Sequence, residues 1–203
     1  MCQRSDRQRV RDRADPDGPA EEPAGGEQIG LGFAASEDGA ALVGATEAGT
    51  VFQIGLWERP AGDADWRVPR AEVDRSVLAA FSRFKVGRFL ASQREWIGEV
   101  ERWAERHGEA VLAFPTNSTK RMDPALSRFR VAAAEGDLHH DGGGDLARHI
   151  GNAQLRSTTA GYTLSKASPS RAIDAATAAV LAFEARAGME PAKAEGVVMV
   201  AWR

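Results

Sequence analysis

The sequence predicts an α/β protein built on one mixed five-stranded sheet with helices on both faces. Three observations predict it. Three short apolar segments separated by tight turns open the ordered region, and they read as an antiparallel meander. After Pro69 the apolar spacing lengthens to steps of three and four, the helical period. Beyond that point strand-like and helix-like segments alternate, the order in which crossover helices place parallel strands in a sheet.

Each element follows from its local pattern. Residues 29–36 form a first apolar strand. Glu37-Asp38-Gly39 is a turn in which Gly39 supplies a positive φ, and residues 40–46 return as the second strand. Glu47-Ala48-Gly49 turns again into a third strand over residues 50–57. Val73, Val77, Phe81 and Phe84 make one helical stripe. Residues 85–91 are strand-like through Val86, Phe89 and Leu90. Trp96, Val100 and Trp103 line a second helix that stops at Gly108. Residues 110–114 are an apolar strand closed by Pro115. Met122, Leu126, Phe129 and Ala133 give a third helix stopped by Gly136. The Gly-rich turn at 141–144 leads into a helix over about 145–156, and residues 171–187 form the last strong helix, ended by Gly188. Meander, helix, strand, helix, strand, helices is the element order of a ribonuclease H-like fold.

Composition bounds the rest. A length of 203 residues suits one domain, placed at 28–190 between an N-terminal tail (1–27) and a C-terminal tail (191–203). The first tail mixes Arg4, Arg7, Arg9, Arg11 and Arg13 with acids and prolines, so it reads as a disordered, solvated leader. Residues 197–202 are a small apolar stretch, either an extra strand or a remnant. An apolar share of 43% and a charged share of 27% exclude wholesale disorder. A net charge of −3 argues against a positive field over the whole surface, while leaving room for a local basic patch. Four His and one Cys leave no room for a zinc cluster or a disulfide framework, and a reducing compartment is the natural home. No apolar run approaches the ~20 residues of a membrane span. No Gly-Lys pair occurs, so there is no P-loop.

Several segments in series resemble the C-terminal nuclease domain of phage terminase large subunits, especially actinobacterial phage and prophage versions. They are residues 29–46 (IGLGFAASEDGAALVGAT), 54–60 (IGLWERP), 66–74 (WRVPRAEVD), 86–108, 136–153 and 172–186. The resemblance implies a role in packaging viral DNA in the bacterial cytoplasm. It also implies cleavage of double-stranded DNA by carboxylates holding two divalent ions, Mg or Mn. The implied partners are the terminase ATPase domain, which lies outside the matched residues, the small subunit and the portal, with no membrane. Two hard cations about 3.5–4 Å apart require clustered oxygen ligands, one ion activating water and the other stabilising the leaving oxygen.

Two of the three acid positions depart from the family pattern. The first-strand acid of a Gly-Phe-Asp-Gly-Ser context falls on Ala34, and the acid of an Ala-Asp-Pro context falls on Ser92. The third survives as Asp174, the expected metal ligand. A methyl group cannot coordinate and a serine offers a neutral hydroxyl, so cleavage is expected to be impaired. Asp38 lies too far along its strand to replace position 34 without rearrangement. His140 is expected either near the cleavage site, in a catalytic part, or as a cap of its turn. Lys166 and Arg171 are expected to contact the DNA backbone. His107 reads as structural, and His149, with Asn152, as packing or hydrogen-bonding within its helix. Two functional readings stay open: a metal-dependent endonuclease domain, and a non-catalytic, degenerate prophage fragment that keeps the fold and DNA or partner contacts.

Overall fold

The computed structural model describes Pro23 and residues 26–189. The expectations for the two tails, residues 197–202 included, therefore lie almost wholly outside the described residues. The central sheet is made by β1 (Gln28–Ala35), β2 (Gly39–Thr46), β3 (Thr50–Glu58), β4 (Lys85–Ser92), β5 (Val111–Phe114) and β6 (His139–His140). Their order across the sheet is β5-β4-β1-β2-β3-β6. The first three strands are antiparallel to one another, whereas β4 joins β1, β5 joins β4 and β6 joins β3 in parallel. The helices are α1 (Arg70–Arg83), α2 (Ile97–His107), α3 (Thr119–Glu135), α4 (Gly144–Asn152) and α5 (Asp174–Ala187).

Alternation along β1 sorts the two faces. Ile29, Leu31 and Phe33 point into one core with Val73 and Val77 of α1 and Val100 and Trp103 of α2. Phe33 meets the rings of Trp96 and Trp103 edge-on, at 4.9 and 5.4 Å between centroids. The opposite face carries Gly30, Gly32 and Ala34 and receives α5. That helix is alanine-rich on its buried side, through Ala175, Ala178, Ala179 and Ala182. The fit is close. A Cβ on Gly32 would overlap the Ala178 carbonyl oxygen and the Ala182 nitrogen, and one on Gly30 would overlap the Ala182 carbonyl and the Arg186 nitrogen. Small residues on both partners let a helix rest directly on strand backbone.

The structure bears out the meander, the crossover order and the two helical layers. It differs in four places. A sixth strand, only two residues long, is added at His139–His140 by pairing with Thr50 and Val51. The helix expected to run to about 156 stops at Asn152, and an antiparallel hairpin follows: β7 (Ala153–Thr158) and β8 (Gly161–Lys166). Leu155 and Tyr162 are exposed, so the hairpin buries little and lacks the apolar alternation that announces a strand. The last helix begins at Asp174 rather than at 171. In α3 the buried stripe closes on Ala132, and Ala133 faces solvent.

The seating of α5 gives a direct test. Gly32→Ala should lower the urea midpoint, with a loss of about 1–3 kcal/mol or more from forced displacement of the helix. Gly98→Ala is the control. Its Cβ would meet nothing nearer than Arg102 Nη1 at 4.0 Å. This change should be neutral or stabilising by about 0.5 kcal/mol.

Candidate functional site

The C-terminal ends of β1 and β4 lie side by side because these strands are parallel and paired through Phe33 and Ala91. The N-terminus of α5 reaches the same end of the sheet. Asp174, its first residue, is 5% exposed. Ser36 Oγ donates to Asp174 Oδ2 at 3.2 Å. The turn after β1 is closed by the Ser36 N–H on the Gly39 carbonyl at 2.8 Å. Gly39 does not have the positive φ expected of it. It is required for room instead: a Cβ there would lie 2.7 Å from the Trp57 carbonyl oxygen and 3.3 Å from Asp174 Oδ2.

The turn curls Asp38 back towards Asp174. Its Oδ2 pairs with Lys166 Nζ at 3.2 Å and its Oδ1 with Arg59 Nη1 at 3.1 Å. Burial raises the Asp174 carboxyl from 3.8 to about 6; the Ser36 hydrogen bond and the Lys166 charge act against that rise, and the Asp38 charge adds to it. A cleft of about 560 Å³ opens beside this point, lined by Ser36, Glu37, Arg59, Arg67, Arg70 and Trp96. A smaller one of about 220 Å³ continues it past Asp38, Arg94, Glu95 and Lys166.

A second layer holds α5 in place. His149 is fully buried, and its Nδ1 accepts the Ala175 N–H at 3.0 Å. That bond requires an unprotonated Nδ1, so Nε2 carries the hydrogen and donates it to Glu58 Oε1 at 3.0 Å. Burial lowers the His149 pKa, so the ring is neutral at pH 7 and its contact with Glu58 is a hydrogen bond rather than an ion pair. Arg148 grips both oxygens of Glu58, at 3.0 and 2.6 Å, and holds that carboxyl below its usual range despite burial. Asn152 Nδ2 donates to the Ala172 carbonyl at 3.0 Å. His149 and Asn152 thus bond across to the start of α5, not within their own helix as the sequence suggested.

Of the residues singled out in the sequence, Ala34, Ser92, Lys166 and Asp174 gather at this end of the sheet. Ala34 is buried in the same core as Ala175 and Ala178. Ser92 is buried, with its hydroxyl engaged to Thr116 Oγ1 at 3.0 Å. Lys166 points inward at Asp38. Arg171 is exposed just before α5. His140 does not join them. It sits beside Val51, whose partner on β2 is Ala45, six residues or roughly 20 Å along that strand from Gly39. Its Nδ1 accepts the Gly142 N–H at 3.0 Å, the turn-cap alternative. The residues that sequence reading missed are Ser36, Glu58 and Arg148, together with the reach of His149 to Glu58 and Ala175 and the use of Asp38 as an ion-pair hub. Glu58 and His149 are 91 positions apart, and no local pattern links them.

The donor set does not suit two divalent ions. Among the described residues no group of three or more His, Cys, Asp or Glu side chains is placed to hold a metal. At this end of the sheet Ala34 offers a methyl, Ser92 a hydroxyl already bonded to Thr116, and Asp38 a carboxylate already paired to Arg59 and Lys166.

The solved structures similar in fold include a phage large terminase and a phage large terminase nuclease. The large terminase of bacteriophage HK97 matches with a TM-score of 0.63 and 20% identity, over 81% of this chain and 40% of that one. The large terminase nuclease of thermophilic phage G20c with bound magnesium matches with a TM-score of 0.55 and 14% identity, over 80% and 82%. The chain has the nuclease-domain fold of phage large terminases. In sequence, this terminase-nuclease-like chain is 36% identical to the Gene 13 protein of Mycobacterium phage D29 across 178 aligned positions, covering 79% of this chain. It spans 29% of that relative's length. No protein-family model matches the chain. No helix among the described residues is long and apolar enough to cross a membrane.

Burial of Asp174 makes stability depend on pH. The folded state holds this proton more tightly, at about 6 against 3.8, so it binds more protons than the unfolded chain between those values. This contribution is fully present below about pH 4 and is lost as pH rises through about 6, a change of about 3 kcal/mol at most. Asp174→Asn should therefore be more stable than the parent at pH 8, with the gap closing towards pH 5. Urea midpoints at the two pH values measure it, and an equal gap at both would rule out a buried, uptitrated carboxyl.

Proposed function

We propose that the chain is the nuclease domain of a phage large terminase, serving viral DNA packaging in the bacterial cytoplasm, with metal-dependent DNA cleavage impaired. One observation carries this reading. At the strand ends where the terminase-nuclease fold would gather its carboxylates, this chain gathers Asp174, Ala34 and Ser92, and it pairs the neighbouring Asp38 to Arg59 and Lys166. The likeness to a nuclease whose structure holds magnesium supports a divalent ion, Mg or Mn, as the ancestral requirement. A single buried carboxylate is a poor holder of two close dications.

The second reading is a non-catalytic, prophage-type domain that retains the fold and its contacts with DNA, the ATPase domain, the small subunit or the portal. The bonded state of Ser92 and the apolar packing of Ala34 favour it, because both positions have been absorbed into the protein interior. Arg171, exposed just before α5, is a candidate contact for duplex phosphate in either reading.

Incubation of the purified protein with supercoiled plasmid and Mn²⁺ tests the proposal. Nicking should not exceed that of an Asp174→Ala control, and nicking that depends on Asp174 would contradict impairment. Duplex binding is measured separately by fluorescence anisotropy across salt concentrations. Arg171→Ala should weaken binding without sequence preference and reduce the salt slope by about one unit; an unchanged slope removes Arg171 from the interface.

A further inference from the structure

Lys166 ends β8, and its ammonium enters the site from the hairpin. Nζ lies 3.2 Å from Asp38 Oδ2, and 27% of the side chain is exposed. The same positive charge acts on the buried Asp174 carboxyl, on which Asp38 acts in the opposite sense. Ser36 ties the two carboxylates together: its Oγ donates to Asp174 Oδ2 and accepts the Asp38 N–H at 3.3 Å, while Asp38 carries Lys166 on one oxygen and Arg59 on the other. The element that brings the lysine is anchored at both ends. The Tyr162 N–H near its tip donates to Asp123 Oδ1 at 2.7 Å, and the Ala167 N–H at its base donates to the Asn152 carbonyl at 2.9 Å.

A positive charge between neighbouring carboxylates is what a divalent ion supplies in an acidic cluster. We propose that the Lys166 ammonium, held on Asp38 beside Asp174, is a resident counter-ion of this corner, alongside Arg59 on Asp38, and supplies the positive charge that a divalent ion would otherwise bring. The inference rests on the reading of impaired cleavage and deepens it: besides lacking ligands, the pocket is already neutralised. A tethered cation competes at the high effective concentration of an intramolecular group, whereas a free ion must enter from dilute solution and displace it. The β7–β8 hairpin is then the carrier of that cation.

Calorimetric titration of the full chain with Mn²⁺ tests this. The parent should show no uptake that depends on Asp174. Lys166→Gln should gain a site binding Mn²⁺ at least about tenfold more tightly than the parent. Adding Asp174→Asn to that variant should abolish the gain, and Lys166→Arg, which keeps the charge, should behave as the parent. Equal affinity of Lys166→Gln and parent overturns the proposal, as does a gain that survives Asp174→Asn. If Lys166→Gln does not fold, carbon NMR of the parent decides: the Asp174 carboxyl resonance should not move in Mg²⁺ at pH 8, and a shift overturns the proposal. Plasmid nicking by the parent strikes the cleavage reading, whereas a missing gain in Lys166→Gln without nicking strikes the counter-ion alone.

Discussion

The close seating of α5 on the backbone of β1 is the contact on which the candidate site depends. Gly30 and Gly32 offer no side chain on that face, and the helix answers with alanines, so carbonyls and amides of the two elements approach to van der Waals distance. Fully buried small residues hold the helix through many weak dispersion contacts and through apolar area removed from water. The same closeness fixes where the helix begins. Its first residue, Asp174, is set against Ser36 and Gly39 at the end of β1, and any residue that lifts α5 from the strand also shifts that carboxylate.

Helix α4 secures the arrangement from the side. The buried His149 ring satisfies the Ala175 N–H, one of the amides that a helix start leaves without an intrahelical partner. Its other nitrogen is committed to Glu58, which Arg148 in turn holds by both oxygens. The relay gives the ring one tautomer and one orientation. Asn152 adds a bond to the Ala172 carbonyl just before the helix. The backbone on either side of Asp174 is therefore held by two side chains of α4, one of them backed by Glu58 of β3.

Around that carboxylate the charges close on themselves. Burial disfavours ionised Asp174, Lys166 offsets part of that cost, and Asp38 is divided between Lys166 and Arg59. Ala34 and Ser92 leave no unmet need: one packs among alanines, and the other bonds Thr116. The result is a terminase-nuclease fold whose key corner is internally balanced, with its remaining basic side chains lining an open cleft.

The sequence by itself determined the meander, the crossover order and the helix on each apolar stripe, because a two-residue period, steps of three and four, and local stops encode them. It also brought Ala34, Ser92 and Asp174 to one end of a sheet, through resemblance in motif order. It could not place the weakly apolar β7–β8 hairpin, nor reveal that Gly39 is needed for space rather than for φ. Only the tertiary structure decided that Lys166 meets Asp38, that Ser36 bonds Asp174 across 138 positions, and that His149 serves Glu58 and Ala175. It also decided that His140 caps its own turn far from Asp174. Periodicity is a property of neighbours along the chain, whereas these polar contacts exist only after the sheet has brought distant segments together.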